Sequence, residues 1–145
     1  MLYSVKKVHL IGVGGIGMSG IAELLKNKEF LVSGSDIADS PIVQRLINLG
    51  INVSIGHNKE NISDAELVIY SDAIPENNVE LIEAYSKNIL VYSRAKMISE
   101  IAKLNSSTVA IAGTHGKTTT TSMVGTILKS MNLDPTIIVG GVIKS

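Results

Sequence analysis

The chain has 145 residues, of which 45% are hydrophobic and 18% are charged, with no cysteine and a formal net charge of zero. This composition can bury a core, but it offers no basic surface for nucleic acid and excludes disulfides, thiol nucleophiles and thiolate metal sites. No apolar run reaches the about 18 residues that a membrane-spanning helix needs.

Short apolar runs alternate with amphipathic stretches over residues 1–104. Strands are predicted at 8–13, 30–35, 52–55, 67–70 and 88–92, and helices at 15–28, 41–50, 78–87 and 94–104. Ser40 before Pro41 is a typical helix start, and Gly50 is a typical helix end. The strands are continuous and rich in Val and Ile, as strands covered on both faces are. The pattern predicts an α/β fold with a doubly wound parallel sheet.

The first predicted strand runs into a glycine-rich turn, residues 12–17, that opens the first predicted helix. Gly12 allows a tight turn, Gly14 the close approach of a diphosphate, and Gly17 close packing of helix on strand. Asp36, at the end of the second strand, stands where a dehydrogenase binds a ribose hydroxyl. Taken alone, this half favours NAD, although any diphosphate can bind at such a helix N-terminus. The alternatives are a glycine turn needed for packing and an Asp36 that caps a solvated turn.

A polar stretch at 103–107 predicts a hinge, after which the pattern starts again. We predict a strand at 108–112, a loop, a helix to about Met131 and a strand at 136–139. One helix and two strands are too few for a domain. We therefore expect one domain at 1–104 and the incomplete start of another at 105–145, in a chain that is a piece of a longer protein.

The second loop reads Gly113-Thr-His-Gly-Lys-Thr118. Its glycines let backbone N–H groups point at phosphate oxygens, Lys117 supplies charge for the β- and γ-phosphates, and the Thr118 hydroxyl can bind Mg²⁺. The full motif has a glycine where Ile111 stands, and the alternative is a tight turn whose lysine faces water. Two phosphate loops favour an enzyme that brings a nucleotide-linked substrate to a nucleoside triphosphate.

Four segments together resemble the Mur ligases, in the order found in that family: 9–23, 33–36, 71–74 and 112–121. The resemblance covers essentially the whole chain. It implies a Rossmann-like UDP-binding domain, a central ATPase domain with a phosphate-binding loop (P-loop), and a C-terminal domain, of which this chain holds the first and the opening of the second. It also implies a cytoplasmic enzyme without nucleic-acid or membrane partners.

The implied reaction is ATP-dependent amide-bond formation in peptidoglycan precursor synthesis. ATP phosphorylates the carboxylate of UDP-N-acetylmuramate, and L-alanine attacks the resulting acyl phosphate. Lys117 and Thr118 would be catalytic, with Thr118 a Mg²⁺ ligand and the remaining ligands outside this chain. The chain by itself should not ligate.

The resemblance also implies site residues. ATP would contact Gly113, Thr114, His115, Gly116, Lys117, Thr118 and Thr119, with His115 positioning substrate rather than acting as a base. The UDP diphosphate would contact Gly14, Gly15, Ile16 and Gly17, and the uridine would lie against Asp36, His57, Ser71 and Ala73. A solvated side chain is the alternative for His57 and for Arg94, and His9 is expected to be a structural strand residue.

Two rival functions remain at this point. One is ligation of a recycled murein tripeptide to the same UDP-sugar, against which the loop at 14–19 argues, because the tripeptide ligases tend to carry a bulkier, threonine-containing loop. The other is a nucleotide- or NAD-binding Rossmann module without chemistry, against which Lys117 and Thr118 argue.

Overall fold

The computed structural model describes residues 4–104, 107–139 and 142–144. The first region contains five strands, β1 (Lys7–Ile11), β2 (Leu31–Asp36), β3 (Asn52–Ile55), β4 (Leu67–Tyr70) and β5 (Leu90–Ser93). It contains four α-helices, α1 (Ile16–Asn27), α2 (Pro41–Asn48), α3 (Val79–Ser86) and α4 (Arg94–Lys103), and a 3-10 helix at Lys59–Ile62. The predicted strands and helices of this region are all present, whereas the 3-10 helix was not predicted.

The strands form one parallel sheet in the order β3-β2-β1-β4-β5, which confirms the predicted α/β fold. Successive side chains of a strand point to opposite faces. On one face, Leu10 and Ile69 pack with side chains of α1, α2 and α4. On the other face, Ile11 and Val68 pack with α3 and the 3-10 helix. Each central strand is therefore covered twice, which explains its continuous apolar sequence.

The ends of α2 follow the predicted signals. The Val43 N–H donates to the Ser40 hydroxyl at 3.3 Å, and Pro41 is the first helical residue. Gly50, just beyond the helix, has a φ of +77°, which glycine adopts without a steric penalty. The turn returns the chain to β3 at the edge of the sheet.

The second region contains α5 (Lys117–Ser130) and the strands β6 (Ile137–Val139) and β7 (Val142–Lys144), which pair antiparallel. The predicted strand at 108–112 is wrong: these residues have no regular structure. A strand forms by pairing with a neighbour, no described residue pairs with this segment, and Val109 is 72% exposed. Asn105 and Ser106 of the predicted hinge lie outside the described residues. Within the described ranges, no helix is both long and apolar enough to span a membrane.

Candidate functional site

The parallel sheet brings four of its strand ends to one edge. The glycine turn follows β1, Asp36 ends β2, His57 follows β3, and Ser71 follows β4. In open α/β sheets, ligands bind outside the carboxyl ends of the strands. The fold therefore collects the residues predicted for the UDP site along a single edge.

The glycine turn is held by the neighbouring strand. The N–H groups of Gly12 and Val13 donate to the Ser35 carbonyl oxygen at 2.8 and 3.0 Å. Gly12 has a φ of +77°, and a Cβ there would lie 3.2 Å from the Ile74 side chain. The turn thus requires glycine, and it contacts the segment that follows β4.

Asp36 is tied to the same turn. The Gly14 N–H donates to Asp36 Oδ2 at 2.8 Å, and the Ala38 N–H donates to Asp36 Oδ1 at 3.1 Å. A Cβ on Gly14 would lie 2.8 Å from Asp36 Oδ2 and 3.0 Å from the Val43 side chain. Both carboxylate oxygens therefore accept backbone hydrogen bonds, and Asp36 positions the turn whatever else it contacts.

The remaining residues predicted for the diphosphate lie at the start of α1. The Gly15 N–H donates to the Gly12 carbonyl oxygen at 3.2 Å. Ile16 and Gly17 occupy the first turn of α1, which has neither a side-chain cap nor an acidic residue. The backbone N–H groups of such a turn and the helix dipole favour a bound anion.

The turn after β4 contains the predicted uridine residues Ser71 and Ala73. The Ala73 N–H donates to Ser71 Oγ at 3.3 Å, and the Ile74 N–H donates to the Ser71 carbonyl oxygen at 2.9 Å. Nearby, Arg94 Nη2 lies 3.8 Å from Asp72 Oδ2 with both side chains partly exposed. A partly exposed pair at this distance contributes little to stability.

A buried carboxylate that the sequence did not single out lies beneath His57. Glu80, in the first turn of α3, is completely buried. Its Oε2 accepts from Ser35 Oγ at 2.6 Å and lies 3.3 Å from His57 Nδ1. Its Oε1 accepts from the Asn58 N–H at 3.2 Å and from the Asn61 side-chain amide.

His9 belongs to the same cluster. It is a buried residue of β1, as predicted. Its Nδ1 lies 2.9 Å from Ser33 Oγ, and its Nε2 lies 3.8 Å from Glu80 Oε2. That second distance is too long for a hydrogen bond, and Nε2 has no hydrogen-bond partner among the described residues.

The Glu80 carboxyl is ionised at neutral pH. Burial by itself would raise its pKa, but the side chains of His9, Ser35 and Asn61 stabilise the charged form more strongly and lower the pKa to about 2. A carboxylate with several donors can stay charged inside a protein because hydrogen bonds replace its water shell. The negative charge therefore sits directly behind the His57 ring.

The second phosphate loop has the turn that its sequence predicts. Gly116 has a φ of +77° and precedes α5, whose first turn has neither a side-chain cap nor an acidic residue. The Lys117 ammonium donates to the Gly113 carbonyl oxygen at 2.6 Å. Each residue from Gly113 to Thr119 is exposed. Lys117 is thus already folded toward the loop that it would share with a phosphate.

Thr118 is the residue of this loop that fits Mg²⁺, since its exposed hydroxyl lies in the first turn of α5. Among the described residues, no three His, Asp or Glu side chains are grouped so that they could hold a metal ion. A single hydroxyl is an incomplete ligand set.

A separate groove of about 420 Å³ lies between α1 and α2. It is lined by Ile16, Glu23 and Arg45 among others, and Arg45 Nη2 lies 2.6 Å from Glu23 Oε1. The groove shares Ile16 with the predicted diphosphate turn but contains none of the residues predicted for uridine.

The family described as "Mur ligase family, catalytic domain" matches residues 7–106. UDP-N-acetylmuramate–L-alanine ligase of Sulfurihydrogenibium sp. (strain YO3AOP1) is 48% identical over 97% of this chain and 31% of the relative. The enzyme of that name from Agrobacterium fabrum (strain C58) is 55% identical over 95% of this chain and 29% of the relative. The chain thus spans about 30% of the length of these curated relatives.

Two solved ligase structures also resemble this chain. A UDP-N-acetylmuramate-alanine ligase from Thermotoga maritima superposes with a TM-score of 0.83 at 34% identity, covering 92% of this chain and 31% of that one. A UDP-N-acetylmuramate:L-alanyl-γ-D-glutamyl-meso-diaminopimelate ligase from Neisseria meningitides also gives 0.83, at 30% identity, covering 95% and 44%.

Proposed function

The chain belongs to the Mur ligase family, and from that premise we propose that it supplies the UDP-sugar-binding domain and the first part of the ATP-binding domain of a ligase. The whole protein joins L-alanine to UDP-N-acetylmuramate with ATP, in the cytoplasm, as a step of peptidoglycan precursor synthesis. We place the domain boundary near residue 104, just after α4 ends at Lys103.

One observation carries this proposal: the chain has two glycine turns with different chemistry, each leading into a helix whose first turn has neither a side-chain cap nor an acidic residue. The turn at 14–17 offers uncharged backbone N–H groups at the edge of a complete sheet. The loop at 113–119 adds a lysine and a threonine hydroxyl. A diphosphate that only has to be held suits the first, and a phosphoryl group that is transferred suits the second.

The reaction has two steps. A carboxylate oxygen of UDP-N-acetylmuramate attacks the γ-phosphorus of ATP, the bond to the β-phosphate oxygen breaks, and ADP leaves. The alanine amine then attacks the carbonyl carbon of the acyl phosphate, loses a proton, and inorganic phosphate leaves. Lys117 neutralises charge on the transferring phosphoryl group, and Mg²⁺, held in part by the Thr118 hydroxyl, would draw charge from the same phosphates.

Tripeptide ligation is the second candidate, because the Neisseria meningitides structure fits this chain with the same TM-score as the Thermotoga maritima one. Three observations favour alanine. The alanine ligase structure is 34% identical to this chain and the tripeptide ligase structure 30%. The curated relatives at 48–55% identity carry the name of the alanine enzyme, and the turn at 14–19 has the smaller residues typical of it.

The proposal is tested in the whole protein with Lys117→Ala, and with Lys129→Ala, which removes a lysine from the last turn of the same helix, as the control. A hydrogen bond to a charged group contributes about 1.5–3 kcal/mol. We therefore expect alanine-dependent phosphate release to fall about 10-fold or more in Lys117→Ala, while calorimetry shows unchanged UDP-N-acetylmuramate affinity.

The control should keep full turnover. Mass spectrometry of the wild-type product, with L-alanine and the tripeptide supplied together, decides between the two ligases. Equal loss of turnover in both lysine variants, or loss of UDP-sugar affinity in Lys117→Ala, would contradict the separate roles of the two loops.

A further inference from the structure

We propose that Glu80 is a positioning residue that fixes which nitrogen of His57 carries hydrogen, so that Nε2 accepts a hydrogen bond from an N–H group of the ligand. The inference rests on the proposed function, under which this N–H is N3–H of uracil. Glu80 then makes the site selective for uracil over cytosine.

The hydrogen bonds around Glu80 determine which ring nitrogen of His57 carries hydrogen. A carboxylate only accepts hydrogen bonds, and a serine hydroxyl has one hydrogen to donate. The Ser35 hydroxyl donates that hydrogen to Glu80 Oε2, 2.6 Å away. His57 Nδ1 lies 3.2 Å from Ser35 Oγ and 3.3 Å from Glu80 Oε2. Both neighbours are thus acceptors toward Nδ1, so Nδ1 must carry the hydrogen.

The charge of Glu80 reinforces this assignment. The side chain is completely buried, and the lowered pKa of its carboxyl keeps it ionised well below neutral pH. A buried carboxylate facing a bare imidazole lone pair would be strongly unfavourable. The same arrangement orients metal-binding and catalytic histidines, where the partner of one nitrogen sets the chemistry of the other.

His57 follows β3 at the carboxyl edge of the sheet. Because Nδ1 contacts Ser35 and Glu80, a ring that carries its one hydrogen on Nδ1 keeps a lone pair on Nε2. The His57 side chain is 17% exposed, and no described residue donates a hydrogen bond to Nε2. The backbone holds the ring in place, because Gly56 with a φ of +90° precedes it and the Asn58 N–H binds Glu80 Oε1.

An acceptor at Nε2 distinguishes two pyrimidines of nearly equal shape. Uracil has an N–H donor at N3, whereas cytosine has a lone pair there. Two acceptors facing each other leave both groups unpaired, and an unpaired polar group costs enough to lower affinity about 10-fold or more. The site should therefore bind UDP about 10-fold or more tightly than CDP.

The 145-residue chain is titrated with UDP and CDP by calorimetry at about pH 8, above the ordinary histidine pKa of about 6.5. Nitrogen NMR of labelled histidine reads, without any ligand, which ring nitrogen of His57 carries hydrogen. The variant is Glu80→Gln. The matched control is Glu83→Gln, the same change on α3 at a partly exposed side chain paired with Lys87.

We expect the Nδ1–H form and a UDP preference of about 10-fold or more in the wild type and the control. In Glu80→Gln the amide can donate to Nδ1, so the Nε2–H form should grow, UDP affinity should fall about 10-fold, and the preference over CDP should shrink. An Nε2–H form in the wild type, equal binding of UDP and CDP, or a folded Glu80→Gln with an unchanged spectrum and preference would each overturn the inference.

If Glu80→Gln does not fold, the wild-type spectrum and the wild-type UDP:CDP ratio decide between these outcomes. A wild-type chain that binds neither nucleotide would overturn the proposed function itself. The ligand-free spectrum would still decide whether Glu80 positions His57, so the two failures are distinguishable.

Discussion

Residues 4–104 and the described residues from 107 onward have the same kind of sequence pattern but are packed to different degrees. Every buried hydrophobic side chain of the described residues lies between Val8 and Ile101. In the second region, Met123 and Ile127 of α5 and Met131 directly after it are each more than half exposed. Apolar residues on one helix therefore do not make a core until another element covers them.

The two predicted strands that precede glycine loops make the same point. Residues 7–11 have strand neighbours on both sides and are almost completely buried. Residues 108–112 are also largely apolar, but no described strand pairs with them. The difference lies in the partners and not in the local sequence, in a chain that spans about 30% of its curated relatives.

The largest expected effect on stability comes from replacing one helical isoleucine in each region by alanine. Ile21 of α1 is completely buried, whereas Ile127 of α5 is 57% exposed. Ile21→Ala should lower the free energy of unfolding by about 2–5 kcal/mol because it leaves a cavity. Ile127→Ala should change it by no more than about 0.5 kcal/mol. Urea unfolding of the 145-residue chain measures both, and similar losses would show that α5 is packed as tightly as α1.

A second test concerns polar groups. The Glu80 carboxylate is buried among donors, whereas the Lys117 ammonium makes its contact at the exposed surface. Folding lowers the pKa of Glu80 from its ordinary value of 4.5 to about 2, which corresponds to about 3 kcal/mol of stability. As pH falls below about 4.5, the unfolded chain takes up this proton before the folded chain does.

The stability that Glu80 contributes is therefore present above about pH 4.5 and lost as pH falls toward about 2. Urea unfolding across this interval should show that the free energy of unfolding of the wild type falls. In Glu80→Gln this fall should be smaller by up to about 3 kcal/mol. Glu83→Gln should retain the fall, because Glu80 is still present. Superimposable pH curves for the wild type and Glu80→Gln would show that the charge of Glu80 does not stabilise the fold.

The sequence predicts most of the fold because, in residues 4–104, the hydrophobic periodicity agrees with the capping and turn residues. Apolar runs, the Ser40 cap and the glycine turns each point to the same element boundaries, and the structure follows them within one or two residues. The strand at 108–112 could not be judged in this way, since pairing depends on residues distant in sequence.

Glu80 could not be recognised from its own position either. An acidic residue in the first turn of a helix, after an Asn78 cap, normally complements the helix dipole at the surface. The available signal was elsewhere: His9, Ser33 and Ser35 place polar side chains on one face of two strands that are covered on both faces. Polar groups in such a position need a buried partner.

The smallest expected effect comes from glycines that contact a neighbouring side chain in each region. A Cβ on Gly34 of β2 would lie 2.8 Å from Val13 Cβ and 3.0 Å from the Leu10 carbonyl oxygen, groups held by the backbone. A Cβ on Gly125 of α5 would meet the end of the Ile137 side chain, which can rotate away. Overpacking that cannot relax costs about 1–3 kcal/mol, whereas alanine in a helix gains about 0.5–1 kcal/mol over glycine.

Gly34→Ala should therefore lower the urea midpoint, and Gly125→Ala should leave it unchanged or raise the helix signal of the folded chain in circular dichroism. A loss of stability in Gly125→Ala as large as that in Gly34→Ala would mean that α5 and β6 are packed as rigidly as the first sheet, against the difference between the two regions.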